Sequence, residues 1–108
     1  MADFVIKQHD TRPVLEAQIQ DATGVAINLT GCIVRFLMLS TAGGQPKINA
    51  TCAIIDPTAG KVRYSWHDGD TDTWGSYYAE FEVTFPDGSV QTVPNDGFLT
   101  IEVKRDIA

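Results

Sequence analysis

The sequence predicts an all-β protein, an antiparallel β-sandwich of about eight strands. Short runs in which apolar and polar residues alternate recur along the whole chain. Clusters of Gly, Pro, Asp and Asn separate these runs at intervals of about 8–12 residues, the spacing of sandwiches and barrels. No window carries the 3.6-residue apolar period of an amphipathic helix. The chain of 108 residues has no linker or repeat, so we expect a single domain over residues 1–108.

Four extended runs are predicted in the first forty residues, and they are residues 4–9, 14–20, 25–29 and 32–40. The first run ends before Pro13, because proline cannot donate to a β-ladder. The second and third runs alternate apolar and polar residues with period two. The fourth run is the most apolar of the chain, and Arg35 interrupts its outward face. A loop with two glycines and a proline follows at residues 41–46.

Five further runs are predicted in the rest of the chain, and they are residues 51–55, 62–66, 77–85, 89–93 and 99–103. The sequence Asp-Pro-Thr-Ala-Gly at residues 56–60 is a strong turn signal. Residues 77–85 show the clearest alternation, with Tyr77, Phe81 and Val83 on one face and Tyr78 on the other. Pro-Asp-Gly at residues 86–88 predicts a hairpin into the next strand.

The alternation also predicts the hydrophobic core, since one face of each strand must be buried against the other sheet. The twelve residues expected there are Leu15, Ile19, Val34, Phe36, Ile54, Tyr64, Trp66, Tyr77, Phe81, Val83, Leu99 and Ile101.

Tyr77 favours an immunoglobulin-like sandwich. In that fold a tyrosine near the start of one strand donates its hydroxyl to backbone a few residues upstream. Tyr77 opens the best strand and follows Gly75, which matches this arrangement, although a simple core tyrosine would occupy the same position. Ala79 stands where antibody domains carry their second disulfide cysteine, so that disulfide is not expected.

Charge excludes two classes of partner. Eight basic and fourteen acidic residues give a net charge of −6, which argues against binding to duplex nucleic acid or to an anionic membrane surface. No apolar run approaches the ~20 residues of a membrane span. Residues 1–10 lack the apolar region of a secretory signal, so we expect a reducing compartment.

The two cysteines are expected in the core. Cys32 and Cys52 each lie in an extended run with apolar residues two positions away. They are interpreted as buried free thiols, with a disulfide as the alternative. A zinc site would also need His9 and His67, and no ligand pair has the short spacing of such sites.

The acidic stretch at residues 68–72 is the one carboxylate cluster. Asp68, Asp70 and Asp72 alternate as calcium ligands can, but an EF-hand loop starting at Asp68 would need Gly at position 73 and Glu at position 79. We therefore expect a solvated turn and no metal or other cofactor. No nucleophile motif, phosphate-binding loop or metalloprotease motif is present, so no enzymatic activity is expected.

Trp74 is the strongest candidate for contact with a partner. It lies in a polar loop, out of phase with the strand that follows, and is either an interface anchor or a lid over one end of the core. Tyr78 is expected on the outward face of its strand, where a partner could also reach it. Together with Asp70 and Asp72 in the same loop, these two aromatic residues form the predicted partner interface.

Several segments resemble the N-terminal domain of the baseplate upper protein of tailed bacteriophages. The similarity runs from Phe4 to about Val103, and its motifs are specific collectively although each is weak alone. The matching segments are FVIKQHDTRP at 4–13, LTG at 29–31, VRF at 34–36, AGKVRY at 59–64, GDTD at 69–72, Gly75, Tyr77, AEF at 79–81 and PNDG at 94–97.

The resemblance implies an immunoglobulin-like β-sandwich and a structural protein of the phage particle, with no catalytic residues. Its partners would be other phage virion proteins, possibly with a homo-oligomer at a symmetric site, and it would be made and assembled in the bacterial host cytoplasm. A baseplate, tail or connector component is expected. The alternatives are a capsid-surface decoration protein and a host-glycan-binding module that uses Trp66, Trp74 and Tyr78 as stacking platforms.

Overall fold

The alternating runs form nine strands in the computed structural model, which describes residues 2–107. The strands are β1 (Phe4–Lys7), β2 (Leu15–Gln18), β3 (Ile33–Ser40), β4 (Ile48–Thr51), β5 (Ala53–Asp56), β6 (Lys61–Tyr64), β7 (Gly75–Thr84), β8 (Val90–Val93) and β9 (Leu99–Lys104). Within the described chain no helix is long and apolar enough to cross a membrane. The all-β class is confirmed, although the nine strands do not correspond one to one with the nine predicted runs.

Two sheets form the sandwich. The larger sheet has six strands in the order β1-β9-β7-β3-β4, with β8 also paired to β7, and the smaller sheet has the order β2-β6-β5. Strand β7 is the axis of the larger sheet. On one side it pairs with all eight residues of β3, and on the other it pairs first with β9 and then with β8. Because β7 has neighbours along both edges, its inward side chains lie at the centre of the molecule.

One pairing differs from the predicted antiparallel arrangement. Strand β1 runs parallel to β9, with Phe4 opposite Ile101 and Lys7 opposite Lys104. The Asp3 carboxylate accepts a hydrogen bond of 2.8 Å from the Thr100 amide at the start of this pair. Parallel pairing is open to β1 because nearly the whole chain separates it from β9, whereas a short hairpin connection would force an antiparallel pair.

The predicted strand at residues 51–55 is instead the place where the chain changes sheets. Strand β4 pairs with β3 in the larger sheet, while β5 pairs with β6 in the smaller one. Cys52 lies between them, and its amide donates to the Val34 carbonyl at 2.8 Å. The next residue, Ala53, already pairs with Arg63. A continuous extended run in the sequence therefore contributes to both layers.

The predicted strand at residues 25–29 is not formed, apart from an isolated bridge between Gln20 and Ala26. Its backbone bonds go to two different segments: the Ile27 amide donates to the Ile19 carbonyl at 2.9 Å, and the Leu29 amide donates to the Pro57 carbonyl at 2.8 Å. The alternation predicted burial only in part, because Leu29 is fully buried but Val25 is 61% exposed. The segment is an extended plug at one end of the core and not a sheet strand.

Gly60 allows this plug to pack closely. Its φ is +67°, a left-handed conformation, and an added Cβ would lie 2.7 Å from the Ile19 carbonyl oxygen and 2.9 Å from that of Ile27. Backbone atoms cannot yield as flexible side chains do, so only glycine fits here.

An aromatic cluster around Phe36 joins the two sheets. Phe36 is fully buried, and its ring centroid lies 4.8 Å from that of Tyr64 in the smaller sheet and 5.4 Å from that of Phe81 on β7. Trp66 packs edge-on against Phe36 at 5.9 Å. Aromatic pairs with tilted or edge-on geometry contribute about 0.5–1.5 kcal/mol beyond their buried area.

The predicted core is confirmed in most of its members. Ten of the twelve expected residues are buried, and Ile54 and Leu99 are half-buried against them. The buried hydrophobic residues that were not expected in the core are Ile6, Leu29, Met38, Ile48, Val62, Ala79 and Val103, and Cys32 and Cys52 are buried as predicted.

Both cysteines are buried free thiols, as the first interpretation predicted. Burial raises the pKa of Cys52 to about 12 and also raises the pKa of Cys32. Neither thiol therefore carries appreciable thiolate near neutral pH, and both act as small apolar side chains.

Replacing Phe81 with alanine tests the register of β7. Phe81 is 2% exposed, so Phe81→Ala should lower the free energy of unfolding by ~3–5 kcal/mol, as truncation of a buried aromatic residue does. Phe98→Ala is the matched control: Phe98 is 56% exposed, and its loss should lower the free energy by about 1 kcal/mol. Denaturant melts of both variants measure the difference. A loss below about 1 kcal/mol for Phe81→Ala would place that side chain on the surface and reverse the register.

Candidate partner interface

The Tyr77 hydroxyl makes the predicted hydrogen bond to upstream backbone at the start of β7, and we call this arrangement the Tyr77 corner. It donates to the Thr73 carbonyl at 2.5 Å, four residues upstream, from a buried position. Burial raises the pKa of Tyr77, so the hydroxyl keeps the proton that it donates. Between these two residues, Gly75 has a φ of +147°, which L side chains rarely adopt. The corner therefore fixes the backbone on both sides of Trp74.

Trp74 itself projects into solvent. Its side chain is 56% exposed, so the alternative of a lid over the core is wrong. The indole lines a cleft between the loop at residues 41–47 and the start of β7. The Arg105 guanidinium lies 6.0 Å from the ring centroid, at the outer limit of a cation–π contact.

Asp72 ties the loop before β7 to two other segments, and we call residues 67–74 of this loop the Trp74 loop. Its carboxylate accepts from the Lys47 ammonium at 2.5 Å and from the Thr73 hydroxyl at 3.0 Å, and these bonds hold the pKa of Asp72 below its usual value. Its carbonyl accepts from the Gln8 side-chain amide at 2.8 Å. The end of β1, the loop before β4 and the loop before β7 are thus held together at one residue.

Asp70, an interface candidate from its place in the acidic stretch, turns inward. Its carboxylate accepts from the Tyr64 hydroxyl at 2.5 Å and from the His67 amide at 2.8 Å, and its side chain is only 15% exposed. Burial, followed by the bond to Asp70, raises the pKa of Tyr64. Next to Asp70, the buried Thr71 hydroxyl donates to the Asp10 carbonyl at 2.8 Å. Asp70 therefore shapes the loop from within.

The outward face of the larger sheet carries an apolar groove. Tyr78 is 39% exposed, and its ring lies 4.9 Å from that of Phe98. Leu37, Leu39 and Pro46 also line it, together with the buried Met38 and Ala79. We call Tyr78, Phe98, Leu37, Leu39 and Pro46 the outer groove. Pro46 also lines the Trp74 cleft, so the two concavities adjoin.

Of the outer groove, sequence reasoning identified only Tyr78. The signal for the rest lies in residues 32–40, the most apolar run of the chain. A strand that is apolar on both faces has an apolar outward face as well as a buried one. In this sheet Leu37 and Leu39 lie on that outward face.

Trp66 is buried and cannot act as a stacking platform. It is 5% exposed, and its indole N–H donates to the Pro13 carbonyl at 3.0 Å. Of the three aromatic residues proposed for glycan stacking, only Trp74 and Tyr78 reach the surface.

Calcium titration tests the acidic stretch. In residues 2–107 no three His, Cys, Asp or Glu side chains converge as metal ligands would. Asp70 is engaged inward and Asp72 is paired with Lys47, so calorimetry should show no calcium dissociation constant at or below ~10 μM, the sensor range. The Asp72→Asn variant is the control and should behave identically. A wild-type dissociation constant in that range would contradict the prediction, and its loss in Asp72→Asn would place the site in the acidic stretch.

Comparison with known proteins agrees with the observed fold. A crystal structure of CopC from Methylosinus trichosporium OB3b has a similar fold, with a TM-score of 0.56 at 11% sequence identity, and the match covers 100% of this chain and 89% of that one. Among curated proteins none matches. The family model described as the BppU N-terminal domain matches residues 4–104, nearly the whole chain. A baseplate domain is a structural part of the phage virion and contacts other virion proteins. The chain therefore belongs to the baseplate upper protein (BppU) N-terminal domain family of bacteriophages.

Proposed function

We propose that this protein is a non-enzymatic structural component of a tailed-phage particle, in the baseplate, tail or connector. It acts as one domain that occupies a repeated site and contacts its neighbour through the Trp74 loop. Family membership supports a structural role, and the sequence contains no catalytic motif. The observation that carries the proposal is the exposed indole of Trp74 on a loop that the rest of the fold holds in place.

The bonds around Trp74 suit it to be an anchor. Tryptophan is among the residues most enriched at the energetic centres of interfaces. A loop that is ordered before binding loses little conformational entropy when the partner arrives. The Tyr77 corner and the Lys47–Asp72 ion pair supply that order. Tyr78 and Asp72 would lie at the edge of the same contact, while Asp70 maintains the shape of the loop from inside.

The alternative particle sites make the same physical demands. A capsid-surface protein would also present an anchor to a symmetric lattice, and copies at such a site would form a homo-oligomer. The copy number of the protein in purified virions distinguishes baseplate, connector and capsid positions. A glycan-binding module is less well supported because Trp66 is buried. A sugar titration followed by tryptophan fluorescence would detect one that uses Trp74.

Alanine substitution tests Trp74 as the anchor. Because the side chain is largely in solvent, Trp74→Ala should leave the melting temperature nearly unchanged. Its incorporation into particles, in competition with tagged wild-type protein, should weaken by ~2 kcal/mol or more, the scale of an interface hot spot. Quantitative mass spectrometry of purified virions gives the ratio.

Trp66→Ala is the matched control for this experiment. Because its indole is buried, Trp66→Ala should lower the melting temperature strongly, whereas Trp74→Ala should not. If Trp74→Ala incorporates as well as wild type does, the anchor must be sought on the sheet edges.

A further inference from the structure

The outer groove combines an apolar lining with one acidic side chain, Glu80, that has no ion-pair partner in the described part of the chain. Glu80 lines the groove beside Tyr78 and is half-buried, and Glu82 follows on the same face of β7. Among residues 2–107 the ion pairs are Lys47–Asp72 and Arg63–Glu16, and the imidazole of His67 lies beside Asp70, so neither glutamate has a cationic partner.

The basic residue opposite Glu82 is engaged elsewhere. Arg35 lies opposite Glu82 in the pairing of β3 with β7, but its guanidinium donates to Asn49 at 2.8 and 2.9 Å and to Thr51 at 3.2 Å. Both acceptors belong to β4, on the other side of β3. Glu80 lies opposite Leu37 of β3, so its direct neighbour on that strand is not a basic residue.

We propose that the outer groove binds a segment of another virion protein that presents an apolar side chain next to a lysine or arginine. The apolar side chain would pack against Tyr78, Phe98 and Leu39, and the basic group would pair with Glu80. A half-buried carboxylate beside apolar walls gains more from a cation than a fully solvated one, because the local dielectric constant is lower. The inference rests on the proposed structural role and names the chemistry of the partner.

Charge distinguishes this occupant from a second copy of the chain. Each copy carries a net charge of −6, and like charges brought together across an interface oppose binding. A basic segment is attracted by the same field, and the attraction falls as salt screens it.

Charge reversal inside and outside the groove provides the test. Glu80→Lys and Glu16→Lys change the net charge by the same amount, but Glu16 lies on β2 in the opposite sheet. In competition with tagged wild-type protein, Glu80→Lys should reduce incorporation into virions at least tenfold, and Glu16→Lys should incorporate as wild type does. Glu80→Gln should give a smaller reduction than Glu80→Lys. Melting temperatures of all variants confirm that they fold.

Removing the apolar wall is an independent arm. Phe98→Ala should reduce incorporation at least fivefold, whereas Val25→Ala, which removes an exposed apolar side chain in the loop before β3, should have no effect. Both substitutions are at surface positions and leave the core intact.

The outcomes separate this inference from the proposed function. If Trp74→Ala lowers incorporation while Glu80→Lys and Phe98→Ala incorporate normally, the groove is not a docking site and the structural role stands. If the wild-type protein is absent from purified virions, both proposals fall. If sedimentation of the purified protein shows a dimer that Phe98→Ala dissociates, a second copy occupies the groove and the basic-segment proposal is overturned.

Discussion

The eight-residue antiparallel pairing of β3 with β7 determines both faces of the larger sheet. Inward, it places Phe36 opposite Phe81, where the smaller sheet adds Tyr64 to close the core. Outward, the same register places Leu39 opposite Tyr78. Because side chains alternate with a period of two, a slip of one residue would exchange these faces. The core and the outer groove are therefore consequences of a single register, and a sequence that secures one also secures the other.

The same strand positions the exposed loop that precedes it. Tyr77 has its ring in the core and its hydroxyl on the Thr73 carbonyl, so core packing is transmitted to the residue next to Trp74. The Lys47–Asp72 pair extends this order to the loop between β3 and β4. An exposed ion pair adds little stability on its own. Here the ion pair instead positions Lys47, which lines the same cleft as Trp74.

The local alternation of residues predicted which side chains of a strand are buried. It did not predict which strands pair when they are far apart in the sequence. The alternation of residues 77–85 predicted which side chains of β7 are buried, because strand geometry alone determines it. The switch between sheets at Cys52 was missed, because residues on both sides of it are extended and only their partners differ. The parallel partner of β1 depends on a residue about a hundred positions away. The exposure of Trp74 depends on how its loop packs, so the sequence left two alternatives open for it.

The strand that the sequence analysis missed also sets the electrostatics of the outer groove. Without β4, the partner of the Arg35 guanidinium across the sheet would be Glu82. With β4 present, Asn49 and Thr51 take up its donors and turn it toward the sheet edge. Two neutral acceptors thus take up the donors of this cation, and neither Glu80 nor Glu82 forms an ion pair with it. An edge strand of four residues therefore holds the Arg35 donors at the sheet edge, while Glu80 lines the outer groove with no ion-pair partner among residues 2–107. The proposed basic partner would fit this arrangement better than a second copy would, because like charges brought together across an interface oppose binding.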